Sequence, residues 1–255
     1  MTTASPTRVE FDLIGSTVLV TGAAGGIGRA IVDAMLDAGA RTVIAWDRAP
    51  LDHDAVTFHR VDLAVAADVQ KALDELPATP SIVVNAAAFY ASRPDFNVAT
   101  EDFCRTLEVN LVSPFVIQRD IARRLLADQQ QGAFINIASV AGKHGFSNQA
   151  DYASSKAGLI GLTRAAALDL APLITVNAIA PGTVDTPMIA QVIEDVAAKT
   201  GLSLEAQRAA FIDSIPTRRM QQPSEIAAAV LFLATTAARS ITGEVINVDG
   251  GTTRD

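Results

Sequence analysis

Short apolar runs alternate with longer amphipathic stretches along most of the chain. Seven runs are rich in β-branched and apolar residues, and several are continuously apolar, as expected of parallel strands that are covered on both faces. These predicted strands are Thr17–Thr21, Thr42–Trp46, Thr57–Val61, Ser81–Asn85, Ala133–Ala138, Thr175–Ile179 and Val245–Val248. Between them, the spacing of apolar residues predicts helices near 27–38, 66–75, 100–128, 151–171 and 223–235.

The alternation of strand and helix predicts an α/β protein. We expect a single-domain Rossmann-type fold at residues 13–255, with a doubly wound parallel sheet of about seven strands and helices on both faces. Residues 1–12 are expected to form a loose N-terminal arm. Pro114 is expected to kink or divide the third helix. The long, helix-prone segment 183–216 is where we expect a substrate lid.

The charge balance is acidic. The chain has 255 residues with 20 basic and 28 acidic side chains, which gives a formal net charge of −8. An acidic surface repels nucleic acids and anionic membranes, so neither is an expected partner. The single cysteine, Cys104, excludes an internal disulfide framework and fits a reducing compartment. We therefore expect a cytoplasmic protein that acts on a small molecule.

A glycine-rich loop follows the first predicted strand and opens the first predicted helix. Residues 21–28 read Thr-Gly-Ala-Ala-Gly-Gly-Ile-Gly. Such a loop lets a pyrophosphate approach the backbone, and the helix N-terminus supplies free N–H groups and a favourable dipole. Alone, the loop is also compatible with an ordinary strand-to-helix turn. The residues expected to hold a dinucleotide here are Gly22, Gly25, Gly26, Ile27 and Gly28.

The end of the second predicted strand bears on the choice of cofactor. The carboxylate of Asp47 can accept hydrogen bonds from the adenosine ribose and would repel a 2′-phosphate. The neighbouring Arg48 could instead bind that phosphate. Trp46 is an alternative occupant of the ribose position. The pattern favours NAD and does not exclude NADP.

Two further strand ends complete the expected cofactor site. Asp62, followed by Leu63, closes the third predicted strand and could accept a hydrogen bond from the adenine amino group. Asn85, Ala86 and Ala87 end the fourth strand and are small enough for a cofactor to lie against them. Tight packing of the sheet would also need small residues at these positions.

A serine, a tyrosine and a lysine form the candidate catalytic group. Tyr152 and Lys156 are four residues apart, which places them on one face of a helix, and Ser139 ends the preceding strand. A phenol has a pKa of about 10, which a neighbouring ammonium group is expected to lower towards the range of a general acid or base. Ser139 could orient the substrate oxygen. Asn110 could anchor a water that relays protons to Lys156.

Taken in order, these motifs resemble the short-chain dehydrogenase/reductase family over about residues 13–251. The resemblance implies that Tyr152 is the acid/base and that Lys156 also holds the nicotinamide ribose. It also implies a homotetramer and a nicotinamide site formed after the sixth strand. The residues implied there are Pro181, Gly182, Val184 and Thr186.

The residues facing the nicotinamide should select the substrate. The candidates are Phe89, Tyr90, His144, Phe146, Gln149 and Met188, and no metal-ligand cluster is apparent. The leading hypothesis is hydride transfer between NAD(H) and a secondary alcohol or ketone, such as a cyclic alcohol or diol, a polyol or a hydroxysteroid. One alternative is an NADPH-dependent 3-oxoacyl carrier-protein reductase. Another is a non-catalytic nucleotide-binding protein on the same fold.

Overall fold

The computed structural model describes residues 11–91 and 96–253, so most of the expected N-terminal arm lies outside the described residues. Within this part of the chain, seven parallel strands form one sheet in the order β3-β2-β1-β4-β5-β6-β7. Their bounds are β1 Thr17–Thr21, β2 Thr42–Asp47, β3 Val56–Arg60, β4 Ile82–Asn85, β5 Gly132–Ile137, β6 Ile174–Pro181 and β7 Val245–Val248. The expected doubly wound parallel sheet is confirmed.

Helices cover both faces of the sheet. The α-helices are α1 Gly26–Asp37, α2 Ala66–Asp74, α3 Thr100–Leu107, α4 Ser113–Ala127, α5 Ala150–Leu170, α6 Pro187–Thr200, α7 Leu204–Ser214 and α8 Pro223–Ala234. Within β1, Val18 and Val20 pack into one core with α1 and α8, whereas Leu19 packs into a second core with α2 and α4. Alternate residues of this apolar strand are therefore buried on opposite faces, which explains why the strand has no polar face.

The third predicted helix is divided, as Pro114 suggested. A π-helical turn, Glu108–Val112, separates α3 from α4, and Pro114 lies in the first turn of α4. Proline has no N–H to donate to the carbonyl four residues earlier, so the regular α-helical hydrogen bonding cannot pass through this point. The π turn contains Asn110, whose side chain is fully buried.

The segment 183–216 contains α6 and α7. Thr186 caps the N-terminus of α6 by accepting a hydrogen bond from the Ile189 N–H. A small apolar cluster of Ile193, Ile215 and Met220 joins the two helices, with Ile189 of α6 and Phe211 and Ile212 of α7 packed against it. None of the described helices is long and apolar enough to span a membrane.

The strand order reverses between β1 and β4. β1 continues towards β2 and β3 on one side, while β4 continues towards β5, β6 and β7 on the other. In open α/β sheets, the crevice above the carboxyl ends of the strands at such a switch point is where ligands bind. The cavity described below lies at this position.

Candidate active site

A cavity of about 580 Å³ lies at the carboxyl ends of the strands. Nearly all of the residues expected to bind the cofactor line it. Those residues are Gly22, Gly25, Gly26, Ile27, Gly28, Asp47, Arg48, Asp62, Leu63, Ala86, Ala87, Tyr152, Lys156, Pro181, Gly182, Val184 and Thr186. The catalytic candidate Ser139 lines the same cavity, so the structure brings the two sets of motifs together.

The glycine-rich loop has the shape and polarity that a dinucleotide requires. Gly22 has a φ of +67°, and a Cβ there would lie 2.6 Å from Cα of Ala87, so a side chain would close the space between β1 and β4. The first turn of α1 has neither a side-chain cap nor an acidic residue. Its N–H groups are thus not satisfied by a side chain and can bind a pyrophosphate. The residues present fit this group.

Asp47 is held at the adenosine end of the cavity. Its carboxylate accepts hydrogen bonds from the backbone N–H groups of Ala24 at 3.0 Å and Ala49 at 2.9 Å. Trp46 is 1% exposed and packs in the core, which argues against Trp46 as the residue that meets the ribose. Arg48 also lines the cavity beside Asp47.

Tyr152 projects from the first turn of α5 towards Ser139 at the end of β5. A hydrogen bond links the two hydroxyl groups, and the Tyr90 ring packs edge-on against the Tyr152 ring at a centroid distance of 5.4 Å. Burial raises the pKa of Tyr152 to about 12, and the hydrogen bond with Ser139 opposes this rise. The net shift is opposite in direction to the lowering expected from Lys156, because desolvation is the dominant effect.

Lys156 lies one helical turn after Tyr152 and is only 1% exposed. Its Nζ donates a hydrogen bond of 2.7 Å to the Ile137 carbonyl and lies 5.7 Å from the centroid of the Tyr152 ring. Burial lowers the pKa of Lys156 to about 7. The ammonium group can therefore exchange a proton near neutral pH.

Asn110 fixes the chain that follows β4. Its side-chain oxygen accepts a 2.7 Å hydrogen bond from the Phe89 N–H, and its amide donates to the Phe89 carbonyl and to the Ser155 hydroxyl. Ser155 in turn donates to the Tyr152 carbonyl. Both amide hydrogens of Asn110 thus have protein acceptors, which differs from the expected role of anchoring a water with this side chain.

Asn110 and two further predicted site residues lie outside the cavity lining. Asn85 is buried and donates a 2.9 Å hydrogen bond to the side chain of Asn136, so it stabilises the pairing of β4 with β5. His144 is exposed and does not line the cavity, because its backbone closes the short turn after Ser139. The other substrate candidates do line it, namely Phe89, Tyr90, Phe146, Gln149 and Met188.

Sequence reasoning missed part of the cavity wall. Arg105 and Val109 of the α3 region line the cavity, and the Arg105 guanidinium lies 5.2 Å from the centroid of the Phe89 ring. Their spacing of four residues indicates a shared helix face, but only the tertiary structure shows what that face meets. Within residues 11–91 and 96–253, no group of His, Cys, Asp and Glu is arranged to hold a metal ion.

Comparison with known proteins places these features in a family. Residues 22–253 match the family model described as enoyl-(acyl carrier protein) reductase. The chain is 34% identical to the 3-oxoacyl-(acyl-carrier-protein) reductase FabG of Aquifex aeolicus, over 95% of this chain and 99% of that protein.

Two solved structures show the same architecture. A single-residue variant of actinorhodin polyketide ketoreductase with NADPH has a TM-score of 0.87 and 28% identity, covering 93% of this chain and 97% of that one. The 4-hydroxyisoleucine dehydrogenase complexed with NADH has a TM-score of 0.83 and 28% identity, covering 94% and 99%. The chain belongs to the short-chain dehydrogenase/reductase family and is an oxidoreductase acting on CH–OH or keto groups.

Proposed function

We propose that the enzyme interconverts a secondary alcohol and a ketone, with Tyr152 as the acid/base. The observation that carries this proposal is the convergence of the Tyr152 hydroxyl, its partner Ser139 and the buried Lys156 on the cavity that also contains the glycine-rich loop. A bound nicotinamide cofactor supplies or accepts the hydride. The residues of the chain then have to orient the substrate oxygen and move one proton.

The protonation states favour Tyr152 as a proton donor near neutral pH. Because burial raises its pKa to about 12, the phenol is protonated and can give its proton to a carbonyl oxygen. Ser139 orients that oxygen through its hydroxyl. Lys156, with a pKa near 7, then returns a proton towards Tyr152. In alcohol oxidation, the same groups act in the reverse order.

NAD is the cofactor that the adenosine end favours. The Asp47 carboxylate is fixed by two backbone N–H groups, so it cannot easily move away from a 2′-phosphate. The repulsion between these anions would disfavour NADP. Arg48 supports the opposite preference, and the similar structures include one with NADPH and one with NADH.

Aromatic side chains shape the substrate end of the cavity. Phe89, Tyr90 and Phe146 line the cavity with aromatic rings, which suits a cyclic alcohol, a diol, a polyol or a hydroxysteroid. The second candidate function is NADPH-dependent 3-oxoacyl carrier-protein reduction, which the name of the Aquifex aeolicus relative favours. That reaction would require Arg48 to bind the 2′-phosphate.

The proposed enzyme is cytoplasmic and forms a homotetramer. Cys104 is a free thiol in the structure, which fits the reducing environment of a cytoplasmic enzyme. The family resemblance supports a homotetramer. Size-exclusion chromatography with light scattering would measure the mass of the assembly directly.

Replacement of Tyr152 tests the proposed chemistry. Tyr152→Phe should still bind the cofactor but lose at least about 100-fold in kcat with any secondary alcohol or ketone that the wild type accepts, because the proton donor is gone. The assay is the absorbance change of the reduced cofactor, and a fluorescence titration measures binding. Tyr90→Phe removes the neighbouring hydroxyl and should retain most of kcat. Full turnover by Tyr152→Phe would contradict the acid/base role.

A further inference from the structure

Arg105 is a cavity-lining cation that the proposed reaction does not use. Its guanidinium lies 5.2 Å from the centroid of the Phe89 ring, and Phe89 is fixed on both of its backbone polar groups by Asn110. The next residue, Tyr90, packs edge-on against Tyr152. Phe89 and Tyr90 are adjacent in the chain, so the residue that contacts the Arg105 guanidinium is next to the residue that contacts Tyr152.

No described carboxylate forms an ion pair with this guanidinium. Within residues 11–91 and 96–253, the ion pairs of the protein do not include Arg105. The acidic residues among the described cavity lining are Asp47, which ends β2, and Asp62, which lies just after β3. These strands lie on the opposite side of β1 from β4, β5 and β6, whose ends form the reaction centre. The described lining on the Arg105 side of the cavity thus contains no carboxylate, which suits an anionic ligand.

The other cations among the described cavity lining, Lys156 and Arg48, already have roles. Lys156 is buried and donates its hydrogen bond to the Ile137 carbonyl. Arg48 lies beside Asp47 at the adenosine end. Arg105 is exposed, so its guanidinium can present donors to a ligand that enters the cavity.

We propose that the enzyme acts on a hydroxy acid or its keto acid, and that Arg105 binds the carboxylate of this substrate. The guanidinium fork matches the two oxygens of a carboxylate, and the Phe89 ring beneath it restricts the orientation of the fork. This inference rests on the proposed interconversion of alcohols and ketones, and it narrows the substrate class.

Pairs of acids and neutral amides test the proposal. We would compare gluconate with gluconamide, and 5-hydroxyhexanoate with 5-hydroxyhexanamide, in steady-state assays and by calorimetric binding to the cofactor-saturated enzyme. At least one acid should exceed its amide by about tenfold or more in kcat/KM and in affinity, as a charge-assisted hydrogen bond predicts. The preference should appear in KM and should weaken as ionic strength rises.

Arg105→Gln should bring the acid-to-amide ratio close to one, because a neutral glutamine carries no charge to attract the carboxylate of the acid. Arg105→Lys keeps the charge but loses the fork, so it should retain part of the ratio. The matched control is Arg119→Gln, because Arg119 lies over Phe115 at 5.6 Å on α4 and does not line the cavity. This control should keep the full acid-to-amide ratio of the wild type. Thermal melts of all three variants would establish that they are folded.

The outcomes separate this inference from the proposed function. Equal affinities for the acid and the amide in both pairs, or a ratio that Arg105→Gln leaves unchanged, would overturn the carboxylate site even if neutral alcohols are oxidised. Preferential, Arg105-dependent binding of an acid, with no turnover of any secondary alcohol or ketone, would support the site and contradict the proposed reaction. Turnover of neutral thioesters with no preference for acids would favour the 3-oxoacyl reductase function and overturn the carboxylate site.

Discussion

The buried ammonium group of Lys156 should lower the stability of the folded protein. Its pKa is about 7 in the fold and about 10.4 in an unfolded chain, so between these values the unfolded state binds more protons and stability rises with pH. Below about pH 7 the full penalty of burying the charge is present. Lys156→Met should therefore raise Tm by a few degrees near pH 6, and this gain should shrink near pH 9.

Melting curves of wild type and Lys156→Met at the two pH values, followed by circular dichroism, would measure this effect. The variant should also lose at least about 100-fold in turnover, since it cannot exchange a proton with Tyr152. Arg164→Met removes a cation from the same helix at a position that does not line the cavity, and it should show no such pH-dependent gain. A gain in Tm that is equal at both pH values would point to packing rather than charge.

The sequence predicts individual site residues when their chemistry depends on local spacing. The four-residue separation of Tyr152 and Lys156 requires a shared helix face, and both side chains do reach one cavity. The direction of the pKa shift of Tyr152 was not predictable, because desolvation depends on the residues that cover the ring. His144 was misplaced for a related reason, since its distance from Ser139 along the chain does not reveal which way the turn points.

Secondary-structure elements are also predicted well where local sequence determines them and less well where tertiary contacts do. The predicted bounds of β1 and β7 match the structure, because both are rich in β-branched residues and a glycine or a charged residue follows each of them. The edge strand β3 was predicted one residue late, since it carries a mixed pattern of partly buried and exposed side chains. The division of the third helix could be predicted from Pro114, but the π turn before it depends on the buried contacts of Asn110.

An ion pair connects α7 to the loop that precedes α6. Arg208 donates a 2.9 Å hydrogen bond to Asp185, which lies between the cavity residues Val184 and Thr186. Loss of this contact should loosen that loop. An exposed ion pair contributes at most about 1 kcal/mol, so Arg208→Gln should weaken cofactor binding by no more than about fivefold.

A fluorescence titration of the cofactor, with Trp46 as the intrinsic probe, would measure the effect of Arg208→Gln. Arg218→Gln is the matched control, because Arg218 pairs with Asp213 near the end of the same helix without contacting the loop before α6. Only the first variant should change the dissociation constant. Identical behaviour of the two variants would exclude the proposed coupling of α7 to the cofactor site.

At the scale of the whole molecule, the cavity joins elements that are far apart in the chain. Its lining includes residues at or just after the ends of strands β1 to β6, together with residues of α1, α5 and α6. A cofactor bound across this edge should therefore stabilise the entire fold rather than one element. The stabilisation grows as RT ln(1 + [L]/Kd), so the rise in Tm at a fixed concentration ranks the affinities of two cofactors.

The preference for NAD over NADP can therefore be measured as a difference in Tm of the whole protein. NAD should raise Tm of the wild type more than NADP does at equal concentration, because the Asp47 carboxylate, fixed by the Ala24 and Ala49 N–H groups, repels a 2′-phosphate. Asp47→Ser removes that charge and leaves Arg48 beside the ribose. The difference in Tm between the NAD and NADP complexes should therefore narrow or reverse. Asp54→Ser removes an exposed charge from the loop after β2, and this control should preserve the difference in Tm between NAD and NADP. A larger rise with NADP in the wild type would show that Arg48 outweighs Asp47 and would favour the 3-oxoacyl reductase function.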